Sequence, residues 1–148
     1  MKRTIPIFTL VLCMGLLVYN ASASTCSRIM EGKMSETVEE QIVRSQLEAF
    51  NNKDVEGCLQ YFSDDLTVTV LPDEKVIASS KDEIRSHVLS DIESGKFTPA
   101  TLVDIRSNGP FVMTTEVKES NGKKTTISFI YYVEDGLIRK MWGAPFTE

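Results

Sequence analysis

The spacing of apolar residues in the first half of the chain is that of helices. Between residues 36 and 51 the apolar positions recur every three or four residues and fall within about half of the helical wheel. Those positions are Val38, Ile42, Val43, Leu47, Ala49 and Phe50. We expect Ser35 to cap this helix. A short second helix is predicted over residues 55–62, with Asp54 as its cap.

A third helical segment covers residues 81–94. Ser79 or Ser80 is placed to cap it, Glu83 stands where a capping box needs a carboxylate, and Gly95 is placed to end it. One face of this predicted helix is apolar and consists of Ile84, Val88, Leu89 and Ile92. The segment therefore has one side to bury and one side to expose.

Alternation of apolar and polar residues predicts strands elsewhere. It is seen first at residues 66–70 and then along most of the last third of the chain. The Asn-Gly pair at 121–122 and the Asp-Gly pair at 135–136 predict tight hairpin turns. The order is helices, short strands, a helix and then long strands. We therefore predict one α+β domain over residues 35–148, with helices on one face of a curved antiparallel sheet.

The N-terminus predicts export from the cytoplasm. A basic start, an apolar run over residues 5–19 and the small residues Ala21 and Ala23 form the pattern of a secretory signal peptide. We expect cleavage after residue 23, a flexible lead over 24–34 and a secreted or extracytoplasmic domain. The alternative is an uncleaved membrane anchor, for which the apolar run is short and lacks a basic flank on its far side.

Charge and cysteine content narrow the class of partner. The chain carries a net charge of −5, and loss of Lys2 and Arg3 with the signal peptide makes it −7. No basic block remains, so we expect no nucleic-acid partner and no membrane partner after cleavage. Cys26 and Cys58 would remain in a compartment that permits disulfides. One interpretation is that the two cysteines form a disulfide. The other is that Cys58 is a small buried apolar residue, in which case Cys26 is unpaired or lipidated.

Two segments carry a resemblance to a known superfamily. LEAFNNKDVEGCLQYFSDDLTVTV places two acids between a short helix and a strand, and YYVEDGLIRKMWG joins an aromatic strand, a turn and a closing strand. Together they resemble the nuclear transport factor 2-like superfamily, in particular its SnoaL-like and ketosteroid-isomerase-like domains, over roughly residues 36–142. The resemblance implies a cone-shaped, cystatin-like sheet wrapped around about three helices, with a pocket at the open end.

The same resemblance argues against isomerase chemistry. The isomerase branch uses a general base, an oxyanion-binding acid and a tyrosine, and the matching positions here are Val70, Phe129 and Gln46. A general base needs a titratable group within hydrogen-bond reach of the proton it removes, which valine lacks. Asp64 and Asp65 are then interpreted as residues of the connection between a helix and a strand rather than as catalytic acids.

Gln46 and His87 are the polar residues that most suggest a site. Gln46 lies near the centre of the first helix's apolar stripe, where an unpartnered amide would cost about 1–3 kcal/mol. It either lines a pocket or bonds a loop carbonyl. His87, with Asp91 four residues on, forms either a base with its orienting acid or an ordinary surface pair. One histidine and two separated cysteines predict no metal site, and we expect no cofactor.

The predicted late strands have two different faces. Alternation places Phe129 and Tyr131 on one face and Ile130 and Tyr132 on the other. The resemblance implies that the first face looks into the pocket; the alternative is ordinary core. The second face needs a cover, and a homodimer through the sheet is the simplest one. The ligand-binding residues that we predict are Gln46, Val70, Phe129, Tyr131 and Trp142.

Three functions are compatible with these features. The favoured one is a secreted protein with an apolar pocket that binds a small hydrophobic molecule without isomerase chemistry. The second is an isomerase, lyase or cyclase in which His87 is the base and Gln46 orients the substrate. The third is a homodimeric interaction domain. The replaced base, acid and tyrosine positions make an enzyme the less favoured hypothesis.

Overall fold

The described part of the chain is residues 35–147 of a computed structural model. The predicted signal peptide, the lead and Cys26 lie outside the described residues. The helices are α1 (Val38–Asn51), α2 (Val55–Leu59) and α3 (Lys81–Glu93). The strands are β1 (Phe62–Val70), β2 (Lys75–Ala78), β3 (Ala100–Asn108), β4 (Phe111–Ser120), β5 (Lys123–Glu134) and β6 (Leu137–Thr147).

The six strands form one open sheet in the order β2-β1-β6-β5-β4-β3. This confirms the predicted α+β cone, with one correction: the sheet is mixed rather than antiparallel. Strands β3 to β6 follow one another as hairpins, and the last of them returns beside β1. There β6 runs parallel to β1, so residues distant in sequence, such as Val68 and Met141, become register partners.

The two predicted hairpin turns are present. Asn121 and Gly122 have φ values of 53° and 74°, and Asp135 and Gly136 have φ values of 52° and 76°. A tight turn with positive φ at both central residues matches the twist of the strands that it joins. Asparagine, aspartate and glycine tolerate that backbone conformation better than other residues, which is why these dipeptides predicted the turns.

Helix α1 begins two residues later than predicted, because Thr37 and not Ser35 is its cap. The Thr37 side chain accepts a hydrogen bond from the Glu40 backbone N–H, and the Glu40 carboxylate accepts one from the Thr37 N–H. This reciprocal capping box needs an acid three residues after the cap. Ser35 has Val38 at that position, and Val38 itself is exposed rather than part of the apolar stripe.

The core lies where α1, α2 and α3 pack on one face of the sheet. Cys58 is 2% exposed in this core, which confirms the prediction that it is a buried apolar residue of α2. Asp54 caps α2 and Ser80 caps α3, as predicted. Within residues 35–147, no helix has the length and apolar character required to cross a membrane.

Candidate functional site

A cavity of about 220 Å³ opens between the three helices and the sheet face that they cover. Its walls are mainly apolar. They are formed by Leu47, Phe50, Phe62, Val68, Ile77, Ile84, Val88, Phe129 and Met141. The polar and sulfur-bearing side chains that also line it are Gln46, Cys58, His87, Glu116, Lys118 and Tyr131. The cavity therefore combines a large apolar surface with a few polar groups, as small-molecule sites do.

Strand register explains why Phe129 reaches the cavity. Phe129 on β5 faces Gly143 on β6 and Thr114 on β4. A Cβ atom added to Gly143 would lie 2.8 Å from Cε1 of the Phe129 ring, closer than side chains pack. The missing side chain at Gly143 thus leaves the space that the Phe129 ring occupies, and the ring in turn forms part of the cavity wall.

The buried Glu116 on β4 is the main polar feature of the site, and the sequence analysis missed it. Glu116 is only 2% exposed. Its Oε1 accepts hydrogen bonds from the Thr114 hydroxyl and from the Tyr131 hydroxyl, each at 2.9 Å. Burial raises the pKa of the Glu116 carboxyl, and the two hydroxyl donors and the Lys118 charge oppose that shift without cancelling it. The result is a carboxyl group that holds its proton more strongly than an exposed one.

Tyr131 is a fixed hydroxyl donor in this cluster. It is 1% exposed, and burial together with the neighbouring Glu116 raises the pKa of Tyr131 well above its ordinary value. The phenol therefore stays neutral across the physiological range. Its ring also packs against that of Phe129, with 5.8 Å between the ring centres.

Gln46 lines the cavity, and its polar partner is a thiol. Its Nε2 donates a hydrogen bond to Cys58 Sγ at 3.1 Å, so the partner is on α2 and not in a loop. Burial raises the pKa of the Cys58 thiol, and the bond from Gln46 opposes that shift. The thiol is therefore neutral, and the Gln46 amide has a protein partner inside the apolar stripe of α1.

His87 and Lys118 also line the cavity. His87 is exposed, and the Lys118 ammonium lies 5.0 Å from the centre of the Phe50 ring. Asp91 does not line the cavity, and no ion pair or hydrogen bond joins it to His87 in the part of the chain described. The structure therefore gives His87 cavity access without the orienting acid that the sequence suggested.

Two of the residues predicted to bind ligand lie elsewhere. Trp142 follows the cavity-lining Met141, so strand alternation sends it to the opposite face of the sheet, where it borders a shallow groove with Phe111 and Ile130. Val70 is the last residue of β1 and does not line the cavity. These residues were predicted from a resemblance in sequence, and such a resemblance does not specify which face of the sheet a side chain occupies.

Asp64 and Asp65 lie within β1 and not between a helix and a strand, because the strand begins at Phe62. Both carboxylates are exposed and pair with cations, Asp64 with Lys81 at 3.0 Å and Asp65 with Arg139 at 3.5 Å. Neither lines the cavity. Among residues 35–147, no three His, Cys, Asp or Glu side chains come together as a metal site would require.

Comparison with known proteins places the chain by its fold. No family model matches the sequence, and no curated protein is similar to it. Solved structures do match. An NTF2-like protein of unknown function from Burkholderia xenovorans superposes with a TM-score of 0.65 at 13% identity, over 75% of this chain and 84% of that one.

Two further solved structures extend the range of functions found on this fold. An LEH-like epoxide hydrolase from M. tuberculosis has a TM-score of 0.62 at 16% identity, over 75% of this chain and 84% of its own. A protein with a ketosteroid isomerase-like fold from Catenulispora acidiphila, in complex with trimethylamine, has a TM-score of 0.57 at 12% identity, over 70% and 83%. The chain therefore has the nuclear transport factor 2-like fold, which hosts both ligand-binding and enzymatic proteins.

Proposed function

We propose that this protein binds a small, mostly apolar molecule in the cavity between its helices and its sheet. The observation that carries the proposal is the cavity itself, whose walls come from all three helices and from five of the six strands. Aliphatic and aromatic side chains form most of its surface. An apolar molecule that enters it exchanges contact with water for contact with these side chains, which favours binding.

The cavity volume sets the size of the ligand. Drug-sized ligands occupy pockets of about 300–1,000 Å³, whereas an apolar cavity of about 150 Å³ accommodates benzene. The volume of about 220 Å³ lies between these values. The ligand that we propose is therefore larger than a single benzene ring and smaller than a typical drug, such as a bicyclic hydrocarbon skeleton.

The distribution of titratable groups supports binding without isomerase chemistry. The position that resembles the isomerase base is Val70, which has no proton acceptor and lies outside the cavity. The carboxyl that does line the cavity, Glu116, lies on β4 rather than at the position that resembles the isomerase base, and its Oε1 is held by the Thr114 and Tyr131 hydroxyls. His87 reaches the cavity but lacks an orienting acid among the described residues.

Native mass spectrometry of the purified domain, with thermal shift measurements, tests this proposal. We expect a bicyclic ligand to bind the wild type. Val88→Trp places a large ring in the cavity and should abolish binding. Leu89→Trp is the matched control, because Leu89 is the next residue of α3, is 40% exposed and does not line the cavity. Equal binding to both variants would contradict the proposal.

We also propose that the domain forms a homodimer through the uncovered face of the sheet. Phe111, Met113 and Ile130 on that face are 42%, 44% and 37% exposed and border one groove with Trp142. Contiguous apolar surface of this kind commonly marks an interaction site. Light scattering over a range of concentrations should show a dimer, and Met113→Lys should give a monomer. A wild type that is monomeric at all concentrations would contradict it.

The exported form is a further part of the proposal. The pattern of residues 1–23 supports cleavage, which would place the new N-terminus at or near Ser24. N-terminal sequencing of protein recovered from outside the cytoplasm checks this expectation. Material that still begins at Met1 would contradict it.

A further inference from the structure

Helix α3 is the least buried of the helices that enclose the cavity. No residue of α3 is buried, whereas α1 buries three residues and α2 buries two. Ile84 and Val88 of α3 nevertheless line the cavity, and Leu89 beside them is 40% exposed. Ile77 of the neighbouring strand β2 lines the cavity too and is 41% exposed. The side of the cavity formed by α3 and β2 is therefore the side closest to solvent.

Two ion pairs join α3 to the elements beside it. Lys81 Nζ lies 3.0 Å from Oδ1 of Asp64 on β1. Arg85 meets Glu56 of α2 twice, because its Nε donates to Oε1 at 2.8 Å and its Nη2 donates to Oε2 at 3.2 Å. Positions 81 and 85 lie one turn apart on the same side of the helix. These two pairs form a latch between the first half of α3 and the rest of the molecule.

The latch lies at the surface, where ion pairs are weak. The side chains of Asp64 and Glu56 are 97% and 72% exposed. Exposed pairs contribute little to stability, and dissolved salt screens them. Apolar packing, which salt does not screen, holds the buried residues of α1 and α2. In α3 the latch adds to the packing of the half-buried Ile84 against the core, so salt should loosen this helix more than the other two.

The chain after α3 is anchored to α1. The helix is followed by Gly95, whose φ of 69° is left-handed, a conformation that glycine adopts without strain. Farther on, the Phe97 ring packs on the Phe50 ring with 4.9 Å between their centres, and the Asn51 side chain bonds both the N–H and the C=O of Ala100. A lightly held helix that ends at a glycine next to a fixed segment has the arrangement of a hinged element.

We propose that α3 is a lid over the cavity, that the latch holds it closed, and that its opening admits and releases the ligand. The inference rests on the proposed binding function. Opening breaks both ion pairs and moves Ile84 and Val88 away from the cavity. Because the latch is present in the closed protein with or without ligand, it controls how fast a ligand exchanges more than how tightly the ligand binds.

Hydrogen–deuterium exchange measured by mass spectrometry tests the lid without a ligand. Relative to α1, we expect the amides of α3 to exchange about threefold faster in about 0.5 M than in about 0.02 M sodium chloride, the size of effect that exposed ion pairs have. Lys81→Gln combined with Arg85→Gln should exchange fast at both salt concentrations. Arg106→Gln is the matched control and should leave α3 unchanged, because it breaks an exposed pair with Asp104 on β3, away from the cavity.

Reversing one pair separates the latch from a merely structural effect. Lys81→Glu places an acid opposite Asp64 and should make α3 exchange faster than in the wild type. Adding Asp64→Lys re-forms the pair with its charges exchanged and should slow α3 again. Fast exchange that the second substitution fails to reverse would contradict the role of this pair in holding the helix.

Release of naphthalene tests the connection between the lid and the cavity. Naphthalene is an uncharged bicyclic molecule with its own fluorescence, so stopped-flow measurements can follow its release directly. At low salt, Lys81→Gln combined with Arg85→Gln should release it about threefold faster than the wild type, with a dissociation constant that changes by less than about twofold. Arg106→Gln should release it at the wild-type rate.

The outcomes separate the lid from the binding function. Exchange of α3 that responds neither to salt nor to the loss of the latch would overturn the lid, as would release of naphthalene at the wild-type rate from the variant without the latch. Absence of naphthalene binding to the folded wild type would count against the binding function itself, whatever the exchange of α3 shows.

Discussion

The two faces of the sheet are built from the same strands and differ in what covers them. On the covered face, Val112, Tyr131 and Ile138 are at most 1% exposed and the helices enclose a cavity. On the open face, the neighbouring residues Phe111, Met113 and Ile130 are more than a third exposed. Adjacent residues of one strand thus experience different environments, and apolar character alone does not distinguish a core position from an exposed one.

The polar residues of the two faces differ in burial as well. On the covered face Glu116 is buried and bonded to two hydroxyl groups. On the open face the Tyr132 hydroxyl donates to Glu134, which is exposed. Each face therefore has a tyrosine–glutamate pair, but desolvation acts strongly only on the covered one. The covered face is where we place the proposed binding site, because buried polar groups influence what can bind.

The largest effect that we predict compares one isoleucine on each face. Ile138→Ala removes a side chain that is 0% exposed and should lower the free energy of unfolding by about 2–5 kcal/mol. Ile130→Ala, at 37% exposure, should cost clearly less when measured on the monomer. Urea unfolding of both variants at low protein concentration checks the difference. Similar losses of unfolding free energy in the two variants would contradict the difference that we describe between the two faces.

The next effect concerns the space that Gly143 leaves for Phe129. Gly143→Ala should push the Phe129 ring into the cavity, lower stability by about 1–3 kcal/mol and weaken ligand binding. Phe129→Leu in the same chain should restore part of that stability, because the smaller side chain makes room for the new Cβ. Thermal unfolding of the two single variants and the double variant measures this coupling, and additive effects would contradict the explanation.

A smaller effect is expected from the cap of α1, the helix that supplies Gln46 to the cavity. Thr37→Ala removes the capping box and should cost about 1 kcal/mol. Ser35→Ala is the matched control and should change stability by no more than about 0.5 kcal/mol, the range of surface substitutions. Denaturant unfolding distinguishes them. A larger loss at Ser35 than at Thr37 would show that the helix is capped as the sequence first suggested.

The smallest effect is a pH dependence that belongs to the covered face. The pKa of Glu116 is raised in the folded state, so the folded protein keeps this proton to higher pH than the unfolded chain does. The stabilising contribution is complete below the ordinary value of 4.5 and decreases as pH rises above it. Glu116→Gln, which cannot ionise, should therefore gain stability relative to the wild type as pH increases. Unfolding free energies of both proteins from pH 4 to 8 measure this, and an opposite trend would exclude a raised pKa.

Much of the architecture follows from local patterns. Helical spacing predicted all three helices, and the Asn-Gly and Asp-Gly pairs predicted two turns. One of the two interpretations of Cys58, a small buried apolar residue, also agrees with the structure. The capping box at Thr37 was also readable, because Glu40 stands three residues later. These features depend on interactions within a few residues, so the sequence by itself determines them.

Some residues of the candidate site could also have been predicted from the local sequence pattern. Alternation puts Val112, Thr114 and Glu116 on one face of β4, and the buried valine indicates that this face is the inner one. Glu116 was missed because a glutamate in a strand is usually exposed. Gln46 was found because it interrupts an apolar helical stripe, although its partner, the thiol of Cys58, could not be named from spacing.

What the tertiary structure alone decided is which residues meet and which face is covered. Alternation places Met141 and Trp142 on opposite sides of β6, but only the packing of the helices makes one side a cavity wall and the other an open groove. The parallel pairing of β1 with β6 and the contact of Tyr131 with Glu116 likewise join residues far apart in sequence. A local pattern specifies how side chains alternate along a strand, whereas burial and the resulting pKa shifts depend on the whole folded chain.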